Sequence, residues 1–280
     1  MNRDLWHDLH VKFFKSGSPA MLYIGINALI FVVASLLGVI AMFAGSKGWI
    51  DFQIQTYLAF PADLSSLPTR FYTLLTYQFF HAGIFHILFN MLWLYWIGQI
   101  FLDFLKPRQF HFVYLGGGIM GALCFLLLFN IIPAFSVQQA TLIGSSASVM
   151  AILGATTTLV PDYSFRLLLI GEVKLKYLAL VYVFLDILGT AGDNAGGSIA
   201  HLGGALFGFI FIKLLQNGKD WSTLFKRKPK LKVVRNKAPE KSDVFVNQKD
   251  IDAILDKISK SGYDQLSKEE KETLFKASKN

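Results

Sequence analysis

Six stretches of the chain are apolar over the length of a helix and are separated by polar connections: roughly residues 20–43, 83–104, 109–132, 144–160, 176–190 and 197–216. A helix crossing hydrocarbon needs about 20 apolar residues at a 1.5 Å rise each, and backbone left unpaired against lipid is not tolerated. The runs are therefore predicted to be membrane-spanning helices, the fourth and fifth short and interrupted. The expected fold class is an all-α polytopic membrane protein. The first run follows a mixed-charge stretch (Arg3, Asp4, Asp8, Lys12, Lys15) and is longer than the roughly 7–15 residues of a cleavable signal's apolar region. It reads as a true first span. Trp49, Tyr57, Trp93, Tyr95 and Trp96, near run ends, read as interface anchors, with packing as the alternative for several of them.

The connections carry their own information. Residues 44–82 form a long, partly apolar loop (Phe52, Ile54, Tyr57, Leu58, Phe60, Leu64), expected to have structure of its own in the outer interface. After Asn217 the composition turns basic, with the run Lys226-Arg227-Lys228. Such a stretch serves as a solvated linker or attracts anionic head groups at about 1 kcal/mol per cation. Ile251, Ile254, Leu255 and Ile258 then recur at helical spacing, Gly262 interrupts, and Ser267-Lys268-Glu269-Glu270 makes a capping box for a second short helix ending near Lys279. The expected organisation is an N-terminal segment 1–19, a six-helix membrane domain 20–216, a basic linker 217–248 and a small helical appendage 249–280.

Composition and charge agree with that reading. Of 280 residues, 53% are hydrophobic and 16% charged, too apolar for an ordinary soluble domain with about 25% charged residues. The net charge of +8 would fit nucleic-acid binding, but its placement fits a membrane better. One set of connections holds Arg3, Lys12, Lys15, Lys106, Arg108, Arg166, Lys174, Lys176 and the tail, and the other only Lys47 and Arg70. The excess of Lys and Arg on cytoplasmic loops puts both termini in the cytoplasm, which six spans satisfy and five or seven do not. The lone cysteine, Cys124, allows no intramolecular disulfide.

Polar side chains inside the runs carry the candidate chemistry. The second, fourth and sixth runs share a direction, and each has a polar site three to eight residues past its start: His86 and Asn90, Ser146, and His201. That spacing is roughly 5–12 Å along a helix axis, so the sites converge at one depth below the outer face. Peptide hydrolysis needs an activated hydroxyl, a base and donors for the oxyanion. Ser146 supplies the hydroxyl and His201 the base. His86 and Asn90, one helical turn apart on one face, can donate to the oxyanion together with the Ser146 backbone N–H. No acidic partner for His201 is apparent, which suggests a dyad. Asp186, alone in the fifth run, reads as an interhelical hydrogen-bonding group in preference to a substrate or flexibility role. Gly204 and Gly208, with Gly144 at the serine motif, read as packing positions. The first two make a small-residue face for close helix approach, matched by Ala147, Ala151 and Ala155.

With His81, His86-Ile87-Leu88-Phe89-Asn90, Gly144-Ser145-Ser146 and Ala200-His201 followed by Gly204 and Gly208, the chain resembles the rhomboid family of intramembrane serine proteases over about residues 20–216. The resemblance implies a six-transmembrane-helix rhomboid-like bundle with Ser146 as nucleophile, His201 as general base, and His86 and Asn90 in the oxyanion site. It implies single-pass transmembrane proteins as substrates, cut where their helix unwinds easily, and no cofactor. The implied location is the inner membrane of a bacterial cell. Three positions depart from the family pattern. Ala147 follows the serine where glycine is common, Met150 stands where an aromatic often packs on the histidine, and Tyr72-Thr73 stands where many members have Trp-Arg.

Other readings fit less. A lone serine in a spanning helix commonly bonds back to its own backbone, and Ser145 and Ser148 fit that description. His81 reads as packing or loop support. His81, His86 and His201 could cluster around zinc, but the chain lacks a His-Glu-x-x-His run. A transporter would show repeated halves with broken helices, and none is evident. A silent relative that binds membrane helices without cutting them would not need the Ser146 and His201 pair.

Overall fold

Each of the six apolar runs is helical in the computed structural model, which describes residues 10–135, 140–167, 171–224 and 247–278. The helices are α1 Pro19–Phe43, α2 Ile84–Phe104, α3 Pro107–Ile131, α4 Ser146–Leu159, α5 Leu175–Gly189 and α6 Ala195–Gln216. Among the described residues, α1, α2, α3 and α6 are long and apolar enough to cross a membrane. With 14 and 15 residues, α4 and α5 extend only about 21–23 Å at 1.5 Å per residue.

Burial explains how α4 can be so short. Nine of its residues, from Ala147 to Thr156, are buried, so protein rather than lipid surrounds it. It ends at Val160-Pro161, where proline disfavours helix in the residue before it. By contrast, α1 buries only Pro19, Ala20, Tyr23, Gly25 and Asn27, and α5 only Leu175 and Asp186. Their remaining apolar surface, including Leu36 and Ile40 on α1 and Leu180 and Phe184 on α5, faces outward.

Small residues let α4 and α6 touch backbone to backbone. A Cβ added at Gly204 would overlap the Ala147 carbonyl, and one at Gly208 the Ala151 carbonyl. On the third side of this contact, a Cβ at Gly121 of α3 would lie 2.6 Å from the Ala200 carbonyl oxygen. Close approach supplies the dispersion contacts that hold helices together where lipid removes the hydrophobic drive between them. Two apolar clusters flank the contact. One gathers Leu94, Phe101, Phe110, Tyr114, Ile152 and Phe211, and the other Phe60, Tyr77, Phe125, Phe129 and Ile199.

The connection between α1 and α2 has structure of its own. Helical turns at Trp49–Gln53, Leu67–Arg70 and Thr73–Thr76 accompany a two-residue strand, β1 Phe60–Pro61, which pairs antiparallel with β2 Thr141–Leu142 just before α4. The loop is tied down by Arg70 donating to the Ala59 carbonyl (3.1 Å) and by Tyr77 donating to the Gly118 carbonyl (2.6 Å). Phe52, Tyr57, Leu64 and Phe71 project outward. A second antiparallel pair, β3 Ser164–Leu167 and β4 Gly171–Lys174, lies between α4 and α5.

Contacts divide the chain into two units, residues 1–226 and 227–280. A basic linker is expected from residue 217. Asp220 caps the turn Trp221–Thr223 and accepts from Arg108 (2.9 Å) and Gln109 (3.2 Å) at the start of α3, so residues 217–224 belong to the first unit. The rest of that linker, 225–246, lies outside the described residues, as do residues 1–9 and Lys279. In the second unit, α7 Gln248–Ser261 and α8 Lys268–Ala277 pack around Ile254 and Leu266. The expected capping box is present, with Ser267 and Glu270 bonded reciprocally. A Lys257–Glu270 ion pair at 2.8 Å joins the helices, and it holds the Glu270 carboxyl below its ordinary value.

Candidate active site

Four helices and a strand surround a cavity of about 550 Å³ whose lining includes His86, Asn90 and Trp93 of α2, Ser146 and Met150 of α4, Tyr182 of α5 and His201 of α6. Its volume is that of a small ligand site. All four polar residues expected at one depth line this one space, and β2 contributes Thr141 and Leu142 to its wall.

Ser146 is the first residue of α4, whereas the sequence reading placed it about a turn inside. The reason is local. Gly144 has φ +124°, and Ser145 is not yet helical at φ −80°, ψ 0°. The helix can begin only after this turn. The Ser146 N–H is consequently one of the amides at a helix start that find no partner within the helix, in a region of partial positive charge.

Gly144 matters in a second way. A Cβ there would sit 2.7 Å from Cε1 and Nε2 of His86, so the imidazole lies directly on the glycine backbone beside Ser146. Gly144→Ala is expected both to strain a positive φ and to displace the His86 ring. Reactivity of Ser146 toward a fluorophosphonate should fall by at least about tenfold, as expected when a reacting geometry moves by an ångström. An unchanged labelling rate would take His86 out of the site. Asn90, buried on the same face, donates one amide hydrogen to the His86 carbonyl (2.8 Å), which leaves its second for the cavity.

The flanking serines have other partners. Ser145 is fully buried, its Oγ 3.2 Å from Nε2 of His81, and Ser148 donates to Oε1 of Gln78 at 2.9 Å. His81 thus supports the turn that carries Ser146. Gln78 supports the start of α4, a role the sequence did not suggest.

The expectation that His201 has no acidic partner is overturned. Asp186 of α5 places Oδ1 2.9 Å from Nδ1 of His201. The carboxylate is 15 positions away on a different helix, and in an otherwise apolar run only its isolation marks it. Met150 is buried in the cavity wall, and two aromatic lining residues, Trp93 and Tyr182, meet edge-on with centroids 5.1 Å apart. Among the described residues, no group of three or more His, Cys, Asp or Glu side chains is arranged to hold a metal ion.

The rhomboid domain family matches residues 68–217, just over half of the chain and all of the cavity's polar residues. The chain belongs to the rhomboid family. Among curated relatives, this rhomboid is 27% identical over 147 residues to the presenilin-associated rhomboid-like protein A, mitochondrial, of Danio rerio, covering 51% of the chain and 37% of the relative. It is 28% identical over 161 residues to the RHOMBOID-like protein 12, mitochondrial, of Arabidopsis thaliana (54% and 48%). It is 27% identical over 201 residues to the rhomboid protease GluP of Bacillus subtilis (70% and 35%). The match therefore spans less than half the length of each of these relatives. Residues 244–280 match a family of unknown function (DUF6576).

Proposed function

We propose that this rhomboid is an intramembrane serine endopeptidase that hydrolyses peptide bonds in or near the transmembrane segments of membrane proteins. The observation that carries this reading is the common cavity of Ser146, His201, His86 and Asn90, drawn from three helices of a bundle with apolar outer surfaces. A relative named a rhomboid protease adds support.

In this reading Ser146 Oγ attacks the scissile carbonyl carbon while His201 takes its proton. The Ser146 N–H, the free Asn90 amide hydrogen and the His86 ring stabilise the oxyanion. His201 then protonates the leaving amine, and a water molecule hydrolyses the acyl-enzyme with the same base. Gly144, Gly204 and Gly208 hold the helices at the separation this chemistry needs. All six helices span the bilayer in this reading, with α4 and α5 crossing as shielded or thinned members of the bundle. Both termini face the cytoplasm, as the Lys and Arg placement suggests, the membrane being of the bacterial inner-membrane type. Single-pass membrane proteins are the proposed substrates, and the second unit is a cytoplasmic appendage to a protease domain of residues 20–216.

The test is incubation of the purified protein with a model single-pass substrate, followed by sequencing of the new terminus. One cut in or beside the transmembrane segment, absent with Ser146→Ala, is expected. An intact substrate with folded protein would favour a binding relative without activity. Asn90→Ala should lower kcat by about 10²–10³-fold without abolishing cleavage, the typical effect of removing one oxyanion donor. Unchanged turnover would remove Asn90 from that role.

A further inference from the structure

Fifteen residues make up α5, and among them only Leu175 at its start and Asp186 are buried. Around the aspartate, Phe184, Leu185, Ile187 and Leu188 are all more than half exposed. A helix with so apolar an outer face therefore turns its one carboxylate into the protein, where an unpaired charge is unfavourable. The contact it makes there is with His201, at 2.9 Å from Nδ1, and Asp186 Oδ2 is buried without a hydrogen-bond partner. Among the described residues, no other side chain is hydrogen-bonded to this carboxylate.

We propose that Asp186 is a positioning residue that holds the His201 ring in the tautomer and orientation a general base needs. This rests on the reading of Ser146 and His201 as nucleophile and base. An ionised carboxylate only accepts hydrogen bonds, so Nδ1 carries the proton and Nε2 keeps its lone pair. When Nε2 takes the Ser146 proton, the same carboxylate faces the imidazolium that forms. The site is then a charge-completed triad drawn from α4, α5 and α6. The bland alternative is that the contact merely ties α5 to α6.

Fluorophosphonate labelling separates the two, because it uses this proton transfer without a peptide substrate. The Ser146 Oγ–P bond forms, P–F breaks, fluoride leaves and Nε2 receives the hydroxyl proton. Rates are measured on the purified protein, Asp186→Asn, Asp186→Ala and Ser146→Ala, with melting temperatures and histidine ¹⁵N spectra assigned by a His201→Ala comparison. In the parent protein, Nδ1 of His201 should be protonated and Nε2 not. Asp186→Asn, whose amide can donate to Nδ1, should shift the proton to Nε2 and label about 10²–10⁴-fold more slowly per folded molecule. Labelling of folded Asp186→Asn and Asp186→Ala at the parent rate would overturn the proposal. So would a parent His201 protonated on Nε2, which decides the matter even if neither variant folds. A folded parent that is not labelled, or labelling that survives Ser146→Ala, would instead sink the protease reading and this inference with it.

Discussion

Ser146→Ala is expected to lower substrate cleavage by at least about 10⁴-fold while leaving the melting temperature within a few degrees of the parent, as loss of a nucleophile does elsewhere. The serine stands at the cavity wall at the first residue of α4, so deleting its hydroxyl opens no void in the packed clusters. His201→Ala should lose activity to a similar extent but differ in stability. It strands the buried Asp186 carboxylate, whose other oxygen already lacks a partner, and should cost about 1–3 kcal/mol. Cleavage kinetics and thermal melts on both variants check the pair. Equal melting temperatures would mean that the Asp186 contact contributes little to holding α5.

The second large effect is expected on stability. In Gly204→Val the new Cβ would overlap the Ala147 carbonyl, and backbone cannot move aside as a flexible side chain can. Overpacking of this kind costs about 3 kcal/mol or more, because α4 and α6 must separate along their whole contact. The apparent melting temperature should fall by roughly 10 °C. Activity should fall further than folding does, since His201 lies one turn above on the same helix. Gly38→Ala on α1, where an added Cβ would meet nothing within 4 Å, should be neutral. Equal melting of Gly204→Val and the parent would refute backbone contact between α4 and α6.

Much of the bundle is legible because lipid imposes simple rules. Long apolar runs must be helices, and a serine, an asparagine or a histidine within one stands out. For the same reason Ser146, His201, His86 and Asn90 could be picked out together, and Gly204 and Gly208 identified as a small face. What escaped depends on long-range partners. Nothing in the fifth run says that Asp186 points at His201 rather than at another helix. The strands β1, β2, β3 and β4 span only two to four residues each, too short for any alternation, and Phe60 meets Leu142 across 82 positions. The exact start of α4 depends on the positive φ of Gly144, which the Gly-Ser-Ser run permits but does not require. The Asp220 strap onto Arg108 likewise joins residues 112 apart, within a stretch whose basic composition reads as linker.

One hydroxyl of this membrane protein, that of Ser146, is expected to be a nucleophile. Treating the purified 280-residue chain with a fluorophosphonate and mapping the modified residue by mass spectrometry tests it directly. A single adduct on Ser146, lost in His201→Ala, is the expected result. A folded protein that takes no adduct, or takes it on Ser145 or Ser148 instead, would rule out Ser146 as the nucleophile.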